Sequence, residues 1–362
     1  MTPSIMLFGL GEVGSWILEY LARSPGVDSI IVADVRGDWG RYRTDLAAIG
    51  ATISGHSKAF SFHEVDLQDI DRTARVLEEV RPGVIINTTT LLSPRLVPQG
   101  LGSASLGIQL PLHLTLISRL MKALRQSGVS APVVNVSSAD VVNPTLWARG
   151  YRIACGAGNC EHVAYQIIRM ISQRESVPLS EVKLYFVAGG SAFLHNGPRK
   201  LPFYLKVMVS GNDVTNRYDP VPLIEEAITT RFFQVGKAAQ LFSTPAASAA
   251  KNALAILNDA NTFMPVNAPL GLVGDYPARL GAKGAELALP DDLSKKEAAI
   301  IGSAALKWFG IEAIHDDGTV AYTDEAHGLA RDRLGYDCKE LHPGDEESRA
   351  KELLQALKGL AD

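Results

Sequence analysis

The residues best suited to chemistry lie near the N-terminus: Gly9-Leu10-Gly11-Glu12-Val13-Gly14, followed at 34 by an aspartate. In a dinucleotide-binding turn the first glycine allows the tight turn and the second lets the backbone approach a pyrophosphate. The third lets the next helix pack closely on the strand. That helix then points its free N–H groups at the phosphates. A carboxylate about 20 residues on holds the two ribose hydroxyls and repels a 2′-phosphate. Asp34-Val35-Arg36 fits that place. The acid favours NAD over NADP, while Arg36 keeps NADP open. Alone, the glycine pattern is equally a glycine-rich turn, and its flanks decide between the two. Ile5-Met6-Leu7-Phe8 reads as a strand before it, Trp16 to Ala22 as a helix after it, and Ile30-Ile31-Val32-Ala33 as a second strand ending on Asp34. Further on, Val84-Ile85-Ile86-Asn87 delivers Thr88-Thr89-Thr90, and Pro132 to Val136 delivers Val136 and Ser137, to the edge where parallel strands face a cofactor.

The elements that must position these residues alternate strand and helix up to about residue 150, which predicts one doubly wound parallel sheet. The spacing predicts a short helix over 45–50, a strand over 60–65, and helices over 70–80 and 111–126. Leu91 to Gly107 is rich in glycine, proline and serine without periodicity, as expected of a lid. Beyond 150 the pattern predicts a helix over 159–172, a strand over 182–187 broken by Gly189-Gly190-Ser191, and helices over 223–240 and 245–258. A helix over 292–309 would be capped by Asp291, and an amphipathic helix would follow over 346–360. The expected units are 1–150 for the nucleotide, 151–315 for the substrate, and 316–362 as a charged helical extension. No repeat is visible at a fixed period.

Several segments resemble the lactate/malate dehydrogenase superfamily. Val133 to Val142 is similar to its V-V-T-N-P-V-D-V turn, Ile153 to Gln166 to its I-G-S-G-T-x-L-D-x-x-R segment, and Val187-Ala188-Gly189-Gly190-Ser191 to V-x-G-E/G-H. Ala249–Ala255, Asn267–Gly271, Tyr276–Leu280, Gly284–Leu287 and Lys296–Leu306 follow that family's C-terminal elements in order, so the resemblance covers roughly 1–310. It implies a Rossmann-type α/β fold with a C-terminal α+β substrate domain, NAD as cofactor, and a homo-oligomer, dimer or tetramer. The catalytic residues do not carry over. The family's aspartate aligns with Glu161 or His162, its substrate arginine with Tyr165, its asparagine with Ser137 and its histidine with Ser191. The lid offers Arg95 and no further arginine or lysine before Arg119. Without a bidentate arginine a carboxylate substrate loses its main anchor. The resemblance therefore implies hydride transfer on a hydroxy or oxo compound other than a simple 2-hydroxy acid: a sugar derivative, a polyol or an aromatic alcohol.

Such a transfer needs a group that takes the hydroxyl proton near neutral pH. His195, four residues past Ser191, could occupy the aligned place through a shifted loop, or be a surface histidine. His162 and Glu161 are the next candidates, Glu161 either as a base or as the group that orients a histidine, or merely as an acid at a helix start. Arg95 would close with the lid. Arg199 and Lys200 suit an anion or a solvated loop, and Cys160 and His113 read as structural. Asp324 to His327 has a metal-like spacing more common on surfaces.

Length and composition agree with a two-domain enzyme: 362 residues, 46% hydrophobic, 20% charged, net charge −4. That balance gives no reason to expect nucleic acid or an anionic membrane as partner, leaving a small-molecule substrate. No apolar run approaches the roughly 20 residues of a membrane span. Met1-Thr2-Pro3-Ser4 leads straight into a strand, which leaves no room for a signal peptide. Three cysteines, Cys155, Cys160 and Cys338, read as reduced thiols without a zinc set, so the expectation is a cytoplasmic, metal-free protein. Two other functions stay open: an NAD- and metal-dependent enzyme of the glycosidase kind, with Cys160 and His195 as ligands, and a non-catalytic NADH sensor.

Overall fold

The computed structural model describes residues 3–92, 105–231 and 242–358. Its first unit is a parallel sheet built from β1 (Ser4–Phe8), β2 (Ser29–Asp34), β3 (Ala59–Glu64), β4 (Val84–Asn87), β5 (Val133–Asn135) and β6 (Cys155–Gly156), in the order β3-β2-β1-β4-β5-β6. Strands buried on both faces read as unbroken apolar runs, and β1 and β4 are buried at every position. Alternate residues feed two cores. Met6, Phe8 and Ile85 pack under α3 (Ile70–Val80), α4 (Ser105–Ile108), α5 (Leu110–Ser127) and α6 (Ala139–Ala148), and Ile5, Leu7 and Ile86 pack under α1 (Glu12–Arg23) and α2 (Gly37–Ile53). β6 extends this sheet past the expected boundary at 150.

After α7 (Cys160–Glu175) the chain forms an antiparallel sheet from β7 (Val182–Ala188), β8 (Phe203–Val209), β9 (Asn212–Asp213), β10 (Thr262–Asn267), β11 (Asp275–Gly281) and β12 (Gly284–Leu287). Its path is β10-β11-β7-β8-β9, with β12 on β11. Between these strands run α8 (Gly190–Asn196), α9 (Pro220–Arg231) and α10 (Ser243–Leu257), and α11 (Lys295–Ser303) follows them. The tail is not purely helical: β13 (Ile311–Ile314), β14 (Val320–Tyr322) and β15 (Glu340–Leu341) make a small sheet beside α12 (Asp324–Leu334) and α13 (Glu346–Lys358). It is fastened to the first unit by a nearly buried Arg149–Glu346 ion pair at 3.1 Å and by Thr115 Oγ1 donating to Glu346 O at 3.0 Å.

Three local readings need correction. The helix expected over 45–50 is the 17-residue α2. Its inward residues, Gly40, Thr44, Ala47 and Ala51, are small, whereas Trp39, Tyr42, Leu46, Ile49 and Ile53 face outward. Close packing requires the small face, since a Cβ on Gly40 would lie 2.0 Å from the Phe62 ring. The apolar signal therefore points away from the core. The cap of α11 is Ser294, not Asp291, because Ser294 and Glu297 form a reciprocal capping box. His195 lies on a short helix, α8, not in a loop. Most of the expected lid, and residues 232–240 of the helix expected over 223–240, lie outside the described residues.

Candidate active site

β1 delivers the chain to Gly9, whose φ of +94° and N–H bond to Ala33 O at 2.8 Å start the turn. A Cβ on Gly14 would stand 2.0 Å from Gly9 O, so α1 can approach the turn only with glycine there. A Cβ on Gly11 would meet nothing within 4 Å. Thr88 Oγ1 donates to Gly9 O at 2.9 Å and to Phe8 O at 3.1 Å, tying the turn to the end of β4. Thr89 Oγ1 donates to Asn87 Oδ1 and Thr90 Oγ1 to Leu92 O. Between the turn, the tip of β2 and these threonines lies a cleft of about 380 Å³. Leu10 contributes its backbone, its side chain being core, while Glu12 and Val35 are exposed and Val13 is half-buried.

Asp34 is only 8% exposed. It accepts N–H bonds from Leu10 at 2.6 Å and from Arg36 at 2.9 Å, and the Arg36 guanidinium covers the same carboxylate. Burial alone would raise its pKa, but the bonds from Arg36 and Leu10 hold it below the ordinary aspartate value.

At the end of β5, Val136 is half-buried and its N–H binds Asn87 O at 2.9 Å. A chain of buried amides starts on β4: Asn87 Nδ2 donates to Asn135 Oδ1, Asn135 Nδ2 to Asn143 Oδ1, and Asn143 Nδ2 to Ala268 O. Asn135 Oδ1 also accepts the Ser137 N–H, and Ser137 Oγ lies 2.9 Å from Nδ1 of the buried His113. Burial pushes His113 down to about 4, so it is neutral at physiological pH. In the unfolded chain it protonates near 6.5. Between about 6.5 and about 4 the unfolded state thus binds a proton that the native state refuses. His113→Gln is expected to remove about 1.4 kcal/mol per pH unit from the acid-side loss of stability in that window, read from urea melts at stepped pH.

Behind the strand ends lies a cluster of buried carboxylates. Asp140, in the first turn of α6, accepts from Asn267 Nδ2 at 2.7 Å, Asn159 Nδ2 at 2.8 Å, and both N–H and Oγ of Ser191 at 2.9 and 2.8 Å. Asp275 accepts the N–H groups of Cys160 and Glu161 at the start of α7, and Asn267 Nδ2 at 3.2 Å. Burial, with Asp140 and Glu161 nearby, pushes Asp275 well above the ordinary aspartate value. Gly190 sits against Asp140 at φ +56°, where a Cβ would stand 2.2 Å from Asp140 Oδ1. Glu161, fully buried, is held by Lys251 Nζ and Ser248 Oγ from α10 and by Gly158 N. Lys251 also reaches Tyr165 OH at 3.3 Å. Burial alone would lower its ammonium, but Glu161 and Tyr165 raise it above the ordinary lysine value.

No protein-family model and no curated protein sequence matches the chain. Solved structures do. A lactate dehydrogenase from a Medee basin deep-sea metagenome library superposes with a TM-score of 0.63 at 13% identity, covering 85% of this chain and 96% of its own. The malate dehydrogenase of Cryptosporidium parvum gives 0.61 at 17% identity, covering 84% and 96%. The lactate dehydrogenase of the same organism, solved with lactic acid and β-nicotinamide adenine dinucleotide, gives 0.61 at 18%, covering 85% and 96%. The fold is that of the lactate and malate dehydrogenases.

Within this dehydrogenase fold the candidates separate. Glu161 and Ser191 join one buried network through Asp140, Asp275 and Asn267, and neither carboxylate nor hydroxyl is idle. Glu161 does not orient a histidine, since its oxygens go to lysine, serine and a backbone N–H. His195, one turn past Ser191 on α8, is exposed, with Nδ1 2.7 Å from Ser191 O. His162 is half-buried on the first turn of α7. Arg95 lies outside the described residues. Arg199 pairs with Glu225, Lys200 stands over the Trp308 ring, and Cys160 Sγ donates to Gly190 O at 3.0 Å. His327 Nε2 meets Asp337, while Asp324 pairs with Lys339. Among the described residues no three His, Cys, Asp or Glu side chains are grouped to hold a metal, and no helix is long and apolar enough to cross a membrane.

Asp140, Asp275, Asn267, Lys251 and Ser248 were not singled out in the sequence. They come from four elements, α6, α10, β10 and β11, and only Ser248 and Lys251, one helical turn apart on α10, are connected by a spacing. The one available signal was acids and amides inside apolar stretches, as in Val266-Asn267 and Gly274-Asp275-Tyr276.

Proposed function

We propose that the protein is an NAD-dependent oxidoreductase acting on a hydroxy or oxo compound that is not a simple 2-hydroxy acid, such as a sugar derivative, polyol or aromatic alcohol. The observation that carries this reading is the pairing of Asp34 with the glycine turn: a buried carboxylate at the tip of β2, across a cleft of about 380 Å³ from the open face of Gly11. The residues fit a dinucleotide. The first turn of α1 has no side-chain cap, so its N–H groups remain for a pyrophosphate, and Asp34 suits a ribose diol. When bound, NAD supplies the hydride acceptor. His195 takes the hydroxyl proton, with His162 and Tyr165 shaping the substrate end, and Arg95 is a further substrate contact assigned from the sequence alone. The absence of arginine at Tyr165 supports a neutral substrate. The parallel sheet through β6 serves as the nucleotide unit, the antiparallel sheet with its helices as the substrate unit, and the small β13–β15 sheet with α12 and α13 as the extension.

Gly11→Val tests the cofactor site. Its backbone, at φ −70° and ψ −162°, accepts valine, and the side chain would project into open cleft. Unchanged thermal stability with at least about tenfold weaker NADH binding, measured by fluorescence titration, is expected. Unchanged binding would remove this site from the reading.

Self-association belongs to the same proposal. The outward row Trp39, Tyr42, Leu46, Ile49 and Ile53 on α2 is an apolar helix face suited to a second copy. Ile49→Lys is expected to lower the molar mass measured by light scattering at fixed concentration.

A further inference from the structure

The Asp34 carboxylate is full. A carboxylate offers about four lone-pair sites, two on each oxygen. On Oδ2 these meet Leu10 N at 2.6 Å and Arg36 Nη2 at 3.3 Å, and on Oδ1 they meet Arg36 N at 2.9 Å and Arg36 Nε at 3.0 Å. Two of the four donors are backbone and stay fixed by the turn. The other two belong to one guanidinium. Moving that guanidinium frees two sites, the number that the two hydroxyls of a ribose require.

The guanidinium has somewhere to go. Arg36 lines both the cofactor cleft and a second cavity of about 790 Å³ between α1 and α2, so it forms part of the wall between them. Its Nη2 also donates to Leu10 O at 2.9 Å, and its charge lies 5.6 Å from the centre of the Trp39 ring. Arg43, which also lines the second cavity, stands 5.8 Å from the same ring. Arg43 Nη2 pairs with Glu19, whereas its Nε is buried without a hydrogen-bond partner among the described residues. The ribose carboxylate is thus covered by one half-exposed guanidinium, while Arg43, on the same tryptophan ring, lines the second cavity alone.

We propose that Arg36 is a displaceable plug on the ribose carboxylate and that, once displaced, it receives a 2′-phosphate, so that the cleft accepts the 2′-phosphorylated dinucleotide as well as NAD. This rests on the dinucleotide reading above. An acid at the tip of β2 ordinarily repels a 2′-phosphate. Here the repulsion is offset, because the displaced guanidinium brings its charge and five N–H donors to the phosphate. Leu10 N and Arg36 N continue to hold Asp34 meanwhile. For NAD the same residue is a competitor, which must leave before the diol can bind. Arg36 therefore has opposite effects on the two cofactors.

The test is fluorescence titration of NADH and NADPH against the wild type and Arg36→Ala, with thermal shifts by 5′-AMP and 2′,5′-ADP as smaller probes. The wild type should bind NADPH within about tenfold of NADH, and Arg36→Ala should tighten NADH at least about threefold while weakening NADPH at least about tenfold. The side chain of Arg36 is half-exposed, and a melting temperature for each variant separates folding from binding. Should the substitution move both cofactors in the same direction, or should the wild type bind NADH and exclude NADPH, the plug is wrong and the NAD reading stands. Failure of all four nucleotides to bind would overturn both.

Discussion

Lys251→Met is expected to destabilise the fold by about 3–5 kcal/mol, the cost of leaving the buried Glu161 carboxylate uncompensated. Glu161 is fully buried, and Lys251 is the cation that contacts it. Ser248 and Gly158 N would still donate to Glu161, but neither carries charge. A carboxylate left this way must stay ionised in a poor medium or take up a proton, and both cost free energy. Glu161→Gln in the Lys251→Met background should recover most of the loss, since the amide removes the charge and keeps an acceptor for Ser248. Chemical denaturation of the two single variants and the double variant gives the coupling directly. A loss below about 1 kcal/mol for Lys251→Met would place that ion pair among surface contacts.

His195→Ala is expected to lower turnover by about 10²–10⁴-fold, the usual contribution of a positioned acid–base group, with NADH affinity unchanged. The contrast with Ser191 gives the expectation its content. Ser191 is occupied with Asp140 through both N–H and Oγ, whereas His195 is exposed on α8 with its Nδ1 2.7 Å from Ser191 O. Ser191→Ala should therefore act on stability, removing one charge-assisted bond of about 1.5–3 kcal/mol. Should Ser191→Ala lose turnover while His195→Ala keeps it, the two roles are exchanged. Stopped-flow measurement of hydride transfer beside a binding titration distinguishes these outcomes.

What was legible in the sequence followed from local rules. Strands β1, β2 and β4 are runs without alternation because both faces are covered, and the glycine turn and Asp34 lie where the end of one strand meets the start of a helix. That Tyr165 and Ser191 stand where the lactate/malate dehydrogenases carry an arginine and a histidine is an expectation from the resemblance alone. Only 45–50 of helix α2 is legible, because its packing face is built of Gly40, Thr44, Ala47 and Ala51, while its large apolar residues face outward. Strands β13 to β15 are two to four residues long, too short for a period to register. The carboxylate cluster was illegible for a different reason. Asp140, Glu161, Lys251, Asn267 and Asp275 meet only once α6, α7, α10, β10 and β11 are in place, and their meaning lies in burial and mutual hydrogen bonds. Arg36 was visible as a residue, whereas its occupation of Asp34 was not.

The most direct measurement is NADH formation by the purified protein, with NAD in excess, across lactate and malate on one side and sugars, polyols and aromatic alcohols on the other. Turnover of a neutral alcohol or sugar derivative, with lactate and malate near background, is the predicted result. Robust oxidation of lactate or malate would contradict the account, which assigns Tyr165 to the place where a carboxylate anchor would be needed.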